Sequence, residues 1–295
     1  MEWVELTLPA GALADEIAAL LVEIEPVYGE GAEIRGEDIV IYSPADAAPA
    51  IADAIRGAAR KLAEQGFEVS PDAVRVKPAP PEDEWRDAWK RYFHIKRFGK
   101  RIVIVPSWER ESYKAEPGDV MLDLDPGRAF GTGAHASTRL CLVELEQLAD
   151  THGVVAKRVL DVGTGSGILM VAAAKLWPAC SGVAVDVDPI SVGCARENLD
   201  QNGVGARFEI SETPVAAITE RFDLVCANIQ ADVLVPLCDA ISARVAPGGA
   251  LLLSGLLHDQ ADDVAAEYVK RGLTIVRTHQ LDDDRDWKSV LLRRA

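Results

Sequence analysis

The residues best suited to chemistry are glycines that lie where a predicted strand meets a predicted helix. Gly163-Thr-Gly-Ser-Gly167 follows the apolar run Arg158–Val162, which is typical of a buried strand, and precedes an apolar helical stretch. A glycine-rich turn at such a junction lets the main chain approach a ligand closely. The sequence therefore predicts a nucleotide-like cofactor at a loop that includes Gly163 and Gly165.

The spacing of the glycines narrows the kind of cofactor. The dinucleotide fingerprint is G-x-G-x-x-G, and Ile168 stands where its third glycine would be. A second glycine-rich run, 127–133, is not followed by the Gly-Lys-Ser/Thr of a phosphate-binding P-loop. These departures disfavour an NAD-dependent oxidoreductase and a P-loop nucleotidase.

Two polar side chains end the neighbouring predicted strands. Asp186 lies 23 residues after Gly163, where a carboxylate can accept hydrogen bonds from both hydroxyls of a ribose. Asn228 ends a later strand, at the carboxyl edge where open α/β sheets bind ligands. Asp188, just before Pro189, is better explained as a helix N-cap than as a ligand contact.

The elements that position these residues alternate between strand and helix over residues 121–295. Such alternation predicts a parallel, Rossmann-like α/β sheet with helices on both faces. After the last helix, Leu273–Thr278 and Trp287–Leu292 flank an acidic turn at 282–286 and predict an added antiparallel hairpin. The acidic turn itself is interpreted as a solvated loop.

Residues 1–78 predict a smaller domain in front of this sheet. Strand signals at Trp3–Leu8, 32–34, Asp38–Tyr42 and Phe67–Val76 alternate with helical stretches at 11–24 and 46–65. The order β-α-β-β-α-β is that of an α+β ferredoxin-like domain. The segment holds 15 acidic and 6 basic residues and has no catalytic constellation.

Residues 79–120 are predicted to connect the two domains. A helix over 82–92 begins with acids, ends with bases, and places Trp85, Trp89, Tyr92 and Phe93 on one face. Packing of these rings onto a domain is favoured over contact with a partner such as RNA.

Composition limits the classes of function. The net charge of −16 argues against nonspecific binding of nucleic acid, including DNA, because phosphate binding depends on clustered Lys and Arg. No apolar run approaches the roughly 18 residues of a membrane span, and the acidic start lacks the basic region of a signal peptide. Five widely spaced cysteines and five scattered histidines predict neither disulfides nor a metal site. We therefore expect a cytoplasmic protein, monomeric and without a metal.

With these motifs in view, the chain resembles class I S-adenosylmethionine-dependent methyltransferases. The resemblance rests on Asp161-Val-Gly-Thr-Gly-Ser-Gly167, the acid after the second strand and the C-terminal hairpin. The segment 125–142, with its Phe-Gly-Thr-Gly motif, closely resembles the signature of the PrmA family, bacterial methyltransferases of large-subunit ribosomal protein eleven. The two-domain layout and Ala227-Asn-Ile229 also fit that family.

The resemblance implies a cofactor, S-adenosyl-L-methionine, and residues that bind it. These are Thr138, the loop glycines Gly163 and Gly165, the ribose acid Asp186, and Asn228. Thr138 and Asn228 have equally good explanations as a helix-capping and a strand-end residue. Some positions depart from the family pattern: Ala134, Ala136 and Ser137 stand where Thr, Pro and Thr are common. No general base is assigned.

The implied activity is transfer of methyl groups to lysine side-chain and N-terminal α-amines of large-subunit ribosomal protein eleven. Asn228 is not followed by the Pro-Pro-aromatic element of many nucleobase methyltransferases, which favours an aliphatic amine. The alternatives are a protein-lysine methyltransferase with another target, and a noncatalytic ribosome- or RNA-binding protein that retains the cofactor fold. The acidic residues 1–78 are expected to recognise the basic substrate.

Overall fold

The chain divides into two compact units, residues 1–93 and 94–295, and each is described by itself. In this computed structural model the described residues are 3–11, 32–64, 67, 69–79, 94–125, 135–151 and 154–295. Apart from Gly11, the helices predicted over 11–24 and 82–92, with the aromatic face of the second, lie outside the described residues. In the described part of the chain, no helix combines the length and apolar character that crossing a bilayer requires.

The first unit contains a four-stranded antiparallel sheet. Its strands stand in the spatial order β2-β3-β1-β4. The ferredoxin-like prediction requires this order. In a β-α-β-β-α-β domain, the two strands joined by each helix are separated in the sheet by one antiparallel strand. The elements are β1 (Trp3–Pro9), β2 (Ala32–Arg35), β3 (Asp38–Pro44), helix α1 (Ala48–Glu64) and β4 (Arg75–Pro78).

The core of this unit follows from the alternation of its strands. Leu6 and Leu8 of β1 and Ile41 of β3 pack against the apolar face of α1, which contributes Ile55 and Leu62. One element differs from the sequence prediction. The strand expected over 67–76 is replaced by a 3-10 turn at Pro71–Ala73 and the short β4, because a proline cannot donate to a sheet ladder.

The second unit begins with a small three-stranded sheet in the order β5-β6-β7. β5 is antiparallel to β6, and β6 is parallel to β7. The sequence prediction treats most of these residues as part of a connector over 79–120, whereas the division of the structure falls between 93 and 94. The strands are β5 (Lys96–Phe98), β6 (Ile102–Val105) and β7 (Val120–Asp123).

The main sheet has seven strands in the order β10-β9-β8-β11-β12-β14-β13. The first five are parallel, and β14 is antiparallel to both β12 and β13. The predicted Rossmann-like sheet with a C-terminal antiparallel hairpin is thus confirmed. Its strands are β8 (Arg158–Val162), β9 (Ser181–Val185), β10 (Phe208–Ser211), β11 (Phe222–Asn228), β12 (Val245–Leu257), β13 (Leu273–His279) and β14 (Trp287–Arg294).

Helices cover both faces of this sheet and bury two apolar clusters. One cluster includes Cys141, Met170 and Ile102, and the other includes Phe222, Ile241 and Tyr268. The helices are α2 (Ala136–Asp150), α3 (Ile168–Leu176), α4 (Pro189–Gln201), α5 (Ala231–Leu234), α6 (Cys238–Arg244) and α7 (Ala261–Val269).

The strand order also locates the place where a ligand can enter. The chain moves outward from β8 through β9 to β10 and then returns to the other side of β8 as β11. A crevice opens at such a switch point, outside the carboxyl ends of the strands. Gly163, Gly165 and Asp186 follow β8 and β9, and Asn228 ends β11, so these four predicted site residues converge on this edge.

Candidate functional site

The loop between β8 and α3 takes a conformation that depends on glycine. Gly163, Gly165 and Gly167 have φ values of +72°, +53° and +76°, in the left-handed region that disfavours other residues. The Gly163 N–H donates to the carbonyl of Val185 at 2.8 Å, which ties the loop to the end of β9. A Cβ built on Gly163 would lie 2.2 Å from Cγ2 of Ile229, so that position has no room for a side chain.

Asp186, directly after β9, fixes the same loop from the other side. Its Oδ2 accepts the N–H of Gly165 at 2.8 Å, and its Oδ1 accepts the N–H of Asp188 at 3.1 Å. A carboxylate has about four lone-pair sites, so two remain for a ligand. The structure therefore brings two predicted cofactor residues, Gly165 and Asp186, into direct contact.

Asp188 plays the structural part predicted for it. Its carboxylate accepts the main-chain N–H groups of Ile190 and Ser191 and so caps the N-terminus of α4. The N-cap interpretation is confirmed. Val187, between the two acids, is 90% exposed and presents an apolar surface beside Asp186.

Thr138 and Asn228 meet at the start of α2. Asn228 Nδ2 donates to Thr138 Oγ1 at 3.4 Å, and the Thr138 side chain is fully buried. Asn228 Oδ1 is also buried, and no described residue provides a hydrogen-bond partner for it. A buried amide oxygen without a donor is costly unless a ligand supplies one, so this contact marks a candidate binding position.

Asp161, on β8 just before the loop, is a further candidate site residue that was not predicted from the sequence. It is 1% exposed; Thr164 Oγ1 donates to its Oδ2 at 2.8 Å, and no described residue pairs with its Oδ1. Burial raises the pKa of this carboxyl to about 7, and the nearby charge of Asp186 acts in the same direction. Its position as the first residue of the glycine motif was the available signal.

His135 caps α2. Its Nδ1 accepts the N–H of Ser137 at 3.3 Å, and its ring packs edge-on against Trp287 with centroids 4.5 Å apart. Burial lowers the pKa of the imidazole, which favours the neutral, hydrogen-bond-accepting form that a cap requires, although the charge of Asp284 opposes this shift. We therefore assign His135 a capping role and no role in proton transfer.

Buried polar contacts hold α2, and with it Thr138, in place. The Ser254 hydroxyl donates to the carbonyl of Ser137 at 3.0 Å. Seven residues further along, Glu144 is 1% exposed, accepts two hydrogen bonds from Arg277 at 2.7 and 3.0 Å, and contacts His279 Nδ1 at 2.9 Å. α2 is thus anchored to both β12 and β13.

Three further sequence expectations concern a second glycine-rich motif, the cysteines and metal ligands. The Phe-Gly-Thr-Gly motif at 130–133 lies outside the described residues. The cysteines are free thiols, and four of the five are buried. Among the described residues, no cluster of His, Cys, Asp or Glu has the geometry to hold a metal ion.

Comparison with known proteins places this chain among relatives of one kind. A family model described as "Ribosomal protein L11 methyltransferase (PrmA)" matches residues 14–295. A ribosomal protein L11 methyltransferase of Geobacter metallireducens is 39% identical over 307 residues, covering 98% of this chain and 97% of the relative. Another from Pelotomaculum thermopropionicum is 34% identical over 318 residues, covering 99% of each chain.

A solved structure gives the same indication. It is the ribosomal protein L11 methylase from Lactobacillus delbrueckii subsp. bulgaricus, which is 29% identical in sequence. The alignment covers 69% of this chain and all of that chain, with a TM-score of 0.60. Sequence and fold therefore indicate similarity to the same group of enzymes.

Proposed function

The chain belongs to the family of ribosomal protein L11 methyltransferases, and from that premise we propose that it methylates lysine side-chain and N-terminal α-amines of ribosomal protein L11. The resemblance derived from the motifs is confirmed by the family match over residues 14–295. The protein is an S-adenosylmethionine-dependent methyltransferase of the class that modifies proteins. It acts, on this proposal, in the cytoplasm, where ribosomal proteins are made.

The strongest structural support for cofactor binding is the group of acceptors at the carboxyl edge of the sheet. The Asp186 carboxylate keeps free lone pairs beside the glycine loop, where the two hydroxyls of a ribose can donate to it. The buried oxygens Asn228 Oδ1 and Asp161 Oδ1 have no partner among the described residues. They suit a ligand that brings N–H donors, as the amino-acid end of S-adenosylmethionine does.

From these positions we infer the residues that hold the cofactor: Thr138, Gly163, Gly165, Asp186 and Asn228. The glycines let the main chain of the loop approach a ligand closely, and Gly163 also has no room for a side chain beside Ile229. Thr138 orients the Asn228 amide through its hydroxyl, which leaves the amide oxygen to face the ligand. Asp161 is added to this set as a buried neighbour of the loop.

When bound, S-adenosylmethionine supplies a methyl group already activated by its sulfonium. The amine that accepts the methyl must be neutral, yet a free lysine has a pKa of about 10.4 and an α-amine about 7.7–8.0. Burial at the carboxyl edge disfavours the charged amine and so promotes loss of its proton. His135 is occupied as a helix cap, so the proton is expected to leave to solvent.

The acidic first unit supports recognition of a basic protein. Residues 1–78 hold 15 acidic and 6 basic residues, and an excess of negative charge speeds encounter with a positively charged partner. We propose the domain arrangement on the same ground: substrate recognition by residues 1–78, a connector at 79–120 and catalysis by residues 121–295.

The test is mass spectrometry of ribosomal proteins incubated with this enzyme and S-adenosylmethionine. We expect additions of about 14 Da per methyl group on ribosomal protein L11, lost in Asp186→Ala because the variant removes the ribose acceptor. Asp188→Asn is the matched control, since Asn is as good an N-cap as Asp and activity should persist.

The other outcomes separate the alternatives. Methyl groups on a different protein would retain the chemistry and overturn the substrate. An unmodified ribosomal fraction, together with tight binding of S-adenosylmethionine by calorimetry, would favour the noncatalytic binding protein.

A further inference from the structure

A groove lies in the second unit beside the helix that carries Thr138. Its volume is about 560 Å³, and it is lined by Ile95–Gly99, by Arg139 and Val143 of α2, and by Leu281 and Asp283. Successive side chains of a strand point to opposite faces of a sheet, so no single face can present five consecutive residues. The groove therefore runs along the open edge of β5, where the main chain itself is accessible.

The hydrogen bonds on the far side of β6 determine which groups face this edge. The carbonyls of Arg101 and Val105 accept the N–H groups of Val120 and Leu124, at 2.7 and 3.2 Å. The main-chain groups of a strand alternate in direction, so the odd-numbered residues of β6 face β7. Ile102 and Ile104 occupy the even positions of β6, so their N–H and C=O groups must point toward β5.

The register then assigns the outward groups of β5. Lys96 and Phe98 pair with those isoleucines, so their main-chain groups are used within the sheet. By alternation, the N–H and C=O of Arg97 point into the groove. At one end of the strand, the Ile95 N–H is already taken by Glu109 Oε2 at 2.8 Å.

The buried carboxylate of Glu146 closes the opposite end of the edge. Glu146 of α2 accepts the N–H groups of Lys100 and Arg101 at 2.7 and 2.6 Å, and a Cβ on Gly99 would collide with it. Exposed edges are commonly protected by charged groups, and here Glu109 and Glu146 close the two ends, while no other described strand pairs with the centre. Only a short segment, centred on Arg97, can pair with this edge.

The groove reaches the residue next to Thr138, and at that end it borders the acidic turn 282–286, whereas Lys96 and Arg97 line its β5 side. Arg139, in its far wall, follows Thr138 in the chain and is paired with Asp283 at 2.7 Å. Asp283 belongs to the turn 282–286, which contains four aspartates, and the charge of Asp284 reaches His135 at the start of α2. A cationic, lysine-bearing segment is the ligand that this end attracts.

We propose that the groove binds an extended segment of the protein substrate, which adds to the open edge of β5 by hydrogen bonding to the main chain of Arg97. The inference rests on the proposed function, because it requires a protein as substrate. Strand addition of this kind draws affinity from main-chain hydrogen bonds, and the volume lies within the roughly 300–1,000 Å³ typical of ligand sites. Recognition of main chain tolerates different sequences around the methylated amine.

The test compares Arg97→Pro with Arg97→Ala in the full-length enzyme. Both variants lose the ion pair between Arg97 and Asp119, but only proline also removes the N–H that faces the groove. Proline is tolerated on an edge strand at such a position. We expect KM for ribosomal protein L11 to be about tenfold higher in Arg97→Pro than in Arg97→Ala, with kcat and KM for S-adenosylmethionine within twofold.

Equal KM values in two folded variants would overturn the proposal. Amide hydrogen exchange in the unmodified enzyme provides a measurement that does not depend on folding of a variant. Saturating ribosomal protein L11 should slow exchange at Arg97, and unchanged exchange would also overturn the proposal. If the unmodified enzyme fails to methylate ribosomal protein L11, the proposed function fails first, and this inference falls with it.

Discussion

Replacement of Gly163 by alanine tests the geometry of the cofactor loop most directly. With φ at +72°, an alanine costs about 1–2 kcal/mol in backbone strain. Its Cβ would also lie 2.2 Å from Ile229 Cγ2, well inside van der Waals contact, and overpacking of this kind costs about 1–3 kcal/mol. We therefore expect Gly163→Ala to destabilise the second unit by about 2–5 kcal/mol and to weaken binding of S-adenosylmethionine.

The two contributions can be separated in a double-mutant cycle with Ile229→Ala. That second change removes Cγ2 and leaves Ile229 Cβ at 3.7 Å from the added methyl, an ordinary contact distance. Gly163→Ala should then cost only the backbone strain, so the two substitutions should couple by about 1–3 kcal/mol.

The assay is urea unfolding of the full chain, repeated with S-adenosylmethionine. Because the two units can unfold separately, the transition of the second unit is identified as the one that the cofactor shifts. The single substitutions each lower the free energy of unfolding by some amount, and the sum of these two amounts is compared with the loss in the double mutant. Agreement to within about 0.5 kcal/mol would show that Ile229 does not restrict Gly163 and would refute the proposed geometry of the loop.

Two further predictions concern buried carboxylates. Because burial raises the pKa of Asp161 to about 7, the folded state binds this proton more tightly than the unfolded chain, and the contribution of this carboxyl to stability falls as pH rises from about 4 to 7. Asp161→Asn should remove that fall, which is about 2–3 kcal/mol between pH 5 and pH 8, as measured by unfolding of the apo protein at those two pH values. An unchanged difference between the two pH values would contradict the prediction. Glu144→Ala should cost about 1–3 kcal/mol in thermal melts and raise the Kd for S-adenosylmethionine, because it removes the buried carboxylate that Arg277 and His279 share and so loosens α2. Glu267→Ala removes a more exposed partner of Lys270 and Arg271, so it should lower the melting temperature much less than Glu144→Ala does.

Much of the catalytic fold could be predicted because its signals are local. Apolar strands of the parallel sheet, the glycine run after β8 and the proline that opens α4 each depend on a few adjacent residues. Asp188 could be assigned as a cap for the same reason, since its partners are two and three residues away. Convergence of Gly163, Asp186 and Asn228 then followed from topology, because carboxyl ends of parallel strands share one edge.

The parts that could not be predicted depend on contacts between distant segments. β5, β6 and β7 have three or four residues each, too few for a periodic pattern, and their pairing is set by the structure around them. Glu144 and Glu146 have the composition of a solvated helix face, yet both are buried by partners up to 135 residues away. The raised pKa of Asp161 likewise results from burial, which its position in the motif does not encode.

Helix α2 unites these nonlocal features. One side presents Thr138 to Asn228 in the candidate cofactor site, and another presents Arg139 and Val143 to the groove along β5. Two buried carboxylates on the same helix, Glu144 and Glu146, fix it to β13 and to the turn after β5. Because one rigid element forms a wall of both sites, the cofactor pocket and the edge of β5 are held at a constant separation. A substrate segment paired with Arg97 would thereby approach the carboxyl edge of the sheet in a defined position, which is the orientation that methyl transfer to a flexible lysine or N-terminus requires.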